Sequence, residues 1–283
     1  MLAPLESDGD AAGDRVTSGR ARPRWWGEAV VLVGLLWAYD VVRSLAPARV
    51  PQAVRTARGL LGFEHAWHLD VERPLNHALV HAGAVAQDIV NYYYATLHLW
   101  LTVAVLGWVY WRRPEHYRRL RRVLVTINVI ALVVFWLLPL APPRLLPGGG
   151  FVDTVLTGHT IGSWGSPATA DANFYAAMPS LHEAWALWVC IAVRTTVSHR
   201  WARRAAAVYP ALTALVVLAT GNHYLIDTVA GALTVGIAVL VSRRPWGYRA
   251  AGPLAGTGDP AASGPRPGRL PPRGSAAAAS SSS

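Results

Sequence analysis

His223 and Asp227 stand four residues apart, so on a helix they share one face and their side chains can meet. A carboxylate bonded to one imidazole nitrogen fixes the tautomer and leaves the other nitrogen free as a nucleophile. His182 follows Pro179 and Ser180 at a predicted helix start, where proline suits the first turn. The unpaired N–H groups of such a terminus, with the Ser180 hydroxyl, make a natural anion site. Arg144 adds a permanent cation whose planar fork matches phosphate oxygens. It lies in the proline-restricted stretch Ala141-Pro142-Pro143-Arg144-Leu145-Leu146-Pro147. One histidine to attack, an acid to protonate the leaving oxygen and cationic donors for the anion are together the parts for phosphoryl transfer through a covalent phosphohistidine.

The elements that must hold these residues are apolar. Of 283 residues, 53% are hydrophobic and only 15% charged, against about 25% charged in soluble domains. Apolar runs lie at about 28–46, 90–111, 120–140, 182–198, 204–221 and 224–242, each near the roughly 20 residues a helix needs to cross a bilayer. The expected fold is therefore all-α, a polytopic membrane helical bundle of about six transmembrane helices. Residues 47–89 mix Arg, His and Trp with short apolar stretches and predict one or two amphipathic helices lying at the membrane interface. Residues 1–24 and 247–283 read as disordered tails around a membrane-embedded domain at 25–246. No cleavable signal peptide is evident.

All 26 basic residues are arginine, and the net charge is +10. They sit beside apolar runs, so membrane topology explains them better than nucleic acid does, and no nucleic-acid partner is expected. The N-terminal tail, residues 112–122, the turn at 194–204 and the C-terminal stretch from Arg243 onward hold twenty of them, all on one side if six spans alternate. That side is predicted cytoplasmic, with both termini. Loops 47–89, 141–181 and 220–223 then face outward. All three chemical clusters fall on that extracytoplasmic face, although the topology rests on arginine counts alone.

Other polar residues have plainer readings. Asp40 and Arg43 read as a structural pair within the first span, and Asn128 and His98 as interhelical hydrogen-bonding residues. His65, His68, His77 and His81 match no familiar metal spacing and read as interfacial helix residues; no metal or other cofactor is expected. His182-Glu183 lacks the second histidine of a zinc-protease motif, with Ala186 in its place. Cys190 is the sole cysteine, so no intrachain disulfide forms. Most of the thirteen tryptophans lie near span ends, as interface anchors do. The rival to an enzyme is a non-catalytic membrane protein that binds or transports lipid.

Pro179-Ser180-Leu181-His182 and His223-Tyr224-Leu225-Ile226-Asp227 resemble the Pro-Ser-x-His and His-x-x-x-Asp elements of the type 2 phosphatidic acid phosphatase superfamily. The Pro-Pro-Arg-Leu-Leu-Pro stretch and the Gly-Asn-His-Tyr-Leu-Ile-Asp context resemble the branch that includes inositol phosphorylceramide synthase. The resemblance spans roughly residues 28–245 and implies a metal-independent membrane enzyme acting on lipid phosphates. It implies His223 as nucleophile, Asp227 as its orienter, His182 as general acid, and Arg144 and Ser180 as phosphate ligands. The chain departs from the common pattern in having no lysine, and in carrying Val217 where an arginine usually precedes the second histidine by six residues. Arg73 and Arg43 are candidates for a second cation. The expected reaction is hydrolysis of a lipid phosphate, or transfer of its phosphoryl-containing group to an alcohol such as inositol.

Overall fold

The structure, a computed structural model, describes residues 23–44, 49–157 and 175–243. These belong to a single unit; residues 244–283 lie outside the description. Helices α1 (Trp25–Ser44), α2 (Val50–Ala66), α3 (Glu72–His81) and α4 (Ala84–Tyr92) come first. A π-helical turn, Tyr93–Leu97, joins α4 to α5 (His98–Arg112). Then follow α6 (Pro114–Leu137), the short α7 (Thr154–Thr157), α8 (Leu181–Thr196), α9 (Arg200–Ala219) and α10 (Leu225–Arg243). The described residues contain no β-strand, only an isolated bridge between Leu140 and Ala176.

Four helices are long and apolar enough to cross a membrane: Ala84–Arg112, Pro114–Leu137, Arg200–Ala219 and Leu225–Arg243. Helices also occupy the two other expected positions. Of these, α1 is apolar over Trp25–Leu35, and α8 has 16 residues, short of the usual span. Ser180 caps α8 directly before Leu181, and the helix ends at Thr196 with Val197 as its C-cap. Local chemistry sets other ends. Pro114 occupies the first turn of α6, where its missing N–H costs nothing, and α6 closes at Leu137, just before Leu138-Pro139.

The bundle forms around α8, which packs against α5, α6, α9 and α10. Its Trp188 is fully buried among Ile127, Val109 and Leu124, and donates its indole N–H to the Leu120 carbonyl at 2.9 Å. A buried indole would otherwise lose its hydrogen bond to water, so this bond fixes α8 against α6. The outward surface is apolar: Val133, Val208, Leu233 and Ile237 are all exposed. Such a continuous apolar exterior suits lipid rather than water.

Residues 47–89 do form two helices, α2 and α3, and these pack onto the loops at one end of the bundle. The Ala141 N–H donates to the Ala53 carbonyl at 3.2 Å. The Asn76 amide donates to the Val152 and Ala219 carbonyls, both at 3.0 Å, and its oxygen accepts from the Val152 N–H at 2.8 Å. Asn91, near the end of α4, donates to the Thr154 carbonyl at 2.7 Å. Each bond satisfies a backbone group that a loop would otherwise leave bare.

Two polar residues in spans differ from expectation. Asn128 bonds to the Leu124 carbonyl and His98 to the Tyr94 carbonyl, so each makes its hydrogen bond within its own segment rather than to a neighbouring helix. A carbonyl four residues back lies within reach of either side chain, whereas a partner on another helix requires matching register. The Asp40 and Arg43 side chains lie outside the described residues, as do residues 1–22 and 244–283 of the tails.

Candidate active site

The His-x-x-x-Asp pair forms at the start of α10. His223 Nδ1 lies 3.2 Å from Asp227 Oδ2, and the same oxygen accepts the Tyr224 N–H at 3.0 Å. Asp227 is fully buried and His223 nearly so. The second carboxylate oxygen, Oδ1, has no protein partner. With Nδ1 turned to the carboxylate, Nε2 is the imidazole nitrogen left for chemistry.

Ser180 caps α8, its hydroxyl oxygen accepting the Glu183 N–H at 3.4 Å, as the spacing of Ser180 and Glu183 favours. The Ser180 N–H donates to the Asp227 carbonyl at 3.0 Å, so the two motifs are joined through their backbones. Gly231 makes that closeness possible: a Cβ there would fall 2.5 Å from the Ser180 carbonyl oxygen. His182, the second residue of α8, has its ring centroid 5.6 Å from that of His223, edge to face. Its Nε2 is buried without a protein partner.

Arg144 enters from a 3₁₀ turn, Pro143–Leu145. Its backbone N–H donates to the Gly221 carbonyl at 2.9 Å, and its Nε to the Asn222 side-chain oxygen at 2.8 Å. A terminal guanidinium nitrogen pairs with Asp153 Oδ2 at 2.6 Å. Gly221 has φ +65°, a left-handed turn that glycine adopts without strain, directly beneath the Arg144 backbone. Arg73 rests over the Phe151 ring, 5.8 Å from its centroid, and is not among the residues lining the cavity described below. Arg43 lies outside the described side chains.

Arg144, His182, Asn222 and His223 line one end of a cavity of about 600 Å³ between α1, α5 and α6. Its walls are otherwise mostly apolar, including Leu35, Leu99, Val103 and Leu132. Along α6 the lining runs from Tyr117 to Phe135, which at 1.5 Å per residue is about 27 Å. At the far end Glu28 accepts bonds from Tyr117 at 2.9 Å and from Arg121 at 2.8 Å, closing the cavity with a paired charge. Ser180 does not line it.

Several supporting residues are absent from the motifs. Glu64 of α2 is fully buried and accepts the Ile226 N–H at 2.8 Å, in the first turn of the helix that carries Asp227. Burial pushes the Glu64 carboxyl up to about 8, against the lowering effect of the Ile226 N–H, with Glu72 and Asp227 adding to the rise. Burial also pushes Glu72 of α3 up. Glu64 therefore holds a proton at neutral pH, which lets two acids sit together under the site without two charges. Their signal in the sequence, two carboxylates on short amphipathic helices, is that of any solvated helix face. Of the loop histidines, His65 pairs with Asp70 at 3.1 Å and His77 lies 2.8 Å from the Gly150 carbonyl. No cluster of three metal-binding side chains occurs among the described residues.

The arrangement thus offers a carboxylate-oriented imidazole, a second imidazole beside it and a guanidinium at the head of an apolar cavity. No curated protein and no solved structure matches the chain. The sequence profile of the PAP2 superfamily, however, matches residues 58–241, a stretch that contains all of these groups. By that match the chain belongs to the PAP2 superfamily, and its function is of the phosphatase or phosphotransferase type.

Proposed function

We propose that the protein cleaves a lipid phosphate ester without a metal, passing the phosphoryl-containing group through His223 to water or to an alcohol such as inositol. The cavity carries this reading. It joins His182, His223 and Arg144 to an apolar space nearly as long as the roughly 30 Å hydrocarbon core of a bilayer, so a headgroup and its chain fit one continuous site.

In the first step His223 Nε2 attacks phosphorus, a P–N bond forms, and the ester P–O bond breaks. His182 gives its proton to the leaving oxygen. Asp227 holds Nδ1–H of the attacking ring and balances the charge that develops on it. Arg144, steadied by Asn222 and Asp153, holds phosphate oxygens. Ser180, buried and off the cavity wall, serves the site by capping α8 beside His182 rather than by touching the anion. In the second step water or an alcohol gives its proton back to His182, attacks phosphorus and releases His223. The site faces the extracytoplasmic side.

The test is turnover by purified protein on a panel of lipid phosphates, with and without inositol and with EDTA present. The expected outcome is EDTA-resistant turnover, an acid-labile phosphoryl-enzyme in rapidly quenched samples, and loss of both in His223→Ala. Undiminished activity in His223→Ala overturns the mechanism, as does a strict requirement for Mg²⁺. Lipid binding with no turnover on any substrate favours the lipid-binding rival.

A further inference from the structure

Beyond the two histidines of the motifs, a third lies against the site. His98 opens α5 directly after the π-helical turn Tyr93–Leu97, the only π segment among the described residues. Its ring centroid is 4.0 Å from that of His182, closer than His182 stands to His223. Tyr94 stacks on the same His182 ring at 4.2 Å, nearly parallel at 17°. His98 Nδ1 lies 2.9 Å from the Tyr94 backbone carbonyl oxygen, so the His98 ring is tied to the backbone of the residue whose own ring stacks on His182. All three line the cavity. Single π turns are disproportionately found at functional sites, because the added residue re-aims the side chains after it.

We propose that His98 is a positioning residue for His182. The inference rests on the phosphoryl-transfer reading above, in which His182 protonates the leaving oxygen. A histidine within a membrane helix is costly, and an aliphatic residue would fill the same wall. As the Nδ1–H donor to the Tyr94 carbonyl, His98 is held in one orientation, and with Tyr94 it fixes the plane of the His182 imidazole. The buried, unpartnered Nε2 of His182 is then held ready for the substrate oxygen. His98 acts through His182 and forms no bond to phosphorus.

A positioning residue for a general acid matters only when the leaving group needs a proton. An alkyl alkoxide does; 4-nitrophenolate does not. The experiment compares kcat/KM, which reports phosphohistidine formation, for an alkyl lipid phosphate and for 4-nitrophenyl phosphate in detergent-solubilised full-length protein. With His98→Asn or His98→Ala, the lipid value is expected to fall about 10-fold or more while the nitrophenyl value stays within about 3-fold, the selectivity that loss of acid catalysis produces. His182→Ala should show the same selectivity, and His98→Phe, which keeps the ring packing, should recover part of the lipid activity. Equal losses on both substrates, or no loss on either, overturn the role of His98. Absence of wild-type turnover on both substrates overturns the phosphoryl-transfer reading instead.

Discussion

At the scale of single residues, the chemistry concentrates where one carboxylate meets one imidazole. Asp227 cannot be exchanged for a neutral isostere without changing the tautomer it selects in His223. Asp227→Asn is therefore expected to fold and to lower kcat by about 10²- to 10⁴-fold, as loss of an orienting carboxylate does in other imidazole sites. Steady-state turnover beside a far-UV CD spectrum checks it. This pair was legible in the sequence because the four-residue separation is short enough to close locally, although His223 stands just before α10, and Asp227 reaches back to it from the first turn rather than sharing a helix face with it. Asn222 and Asp153, the partners of Arg144, were not. Asn222 is 78 positions away, and Asp153, though only nine, sits in a loop with no periodicity to place its side chain. His98 looks in the sequence like any polar residue within a span, and its spacing shows neither the π turn before it nor the ring contact with His182.

At the scale of elements, two contacts hold the halves of the site together. The first is backbone against backbone, where Gly231 of α10 meets the Ser180 carbonyl. The atom introduced by Gly231→Ala would force α8 and α10 apart, at a cost of about 1–3 kcal/mol. A fall in Tm of several degrees in detergent, with a parallel loss of turnover, is expected. The second is the bond from Ile226 to Glu64. The folded carboxyl keeps its proton up to about 8, whereas its ordinary value is 4.5. The native state therefore binds more protons across that window and loses stability as pH rises through it. Glu64→Gln keeps the acceptor oxygen and cannot ionise, so Tm measured from about pH 5 to pH 8 should decline less steeply than in the parent. Hydrophobic runs marked six helices, of which four are long and apolar enough to cross a membrane, because burial in lipid demands long apolar stretches. They described α2 and α3 only as interfacial, since amphipathic spacing shows a helix but not which loops it braces.

At the scale of the whole molecule, arginine distribution and apolar length act together. Arg118, Arg119 and Arg122 near the start of α6 and Arg203 and Arg204 near the start of α9 fall at the end of the bundle opposite the site by the alternation of the spans. Fusions of a periplasm-active and a cytoplasm-active reporter to each terminus are expected to place both termini in the cytoplasm; a periplasmic signal from either end would contradict the topology. The bridge between Leu140 and Ala176 has a separate consequence. It is closed by the Leu140 N–H on the Tyr175 carbonyl and the Ala177 N–H on the Leu140 carbonyl, at 2.8 and 3.3 Å. It brings the strand of chain leading to Arg144 alongside the one leading to His182. A break made between residues 158 and 174 would leave Arg144 on one polypeptide and both motif histidines on the other, each piece still carrying its side of that seam. Two separately encoded halves are thus expected to reassemble in one membrane into a working enzyme, with neither half active alone.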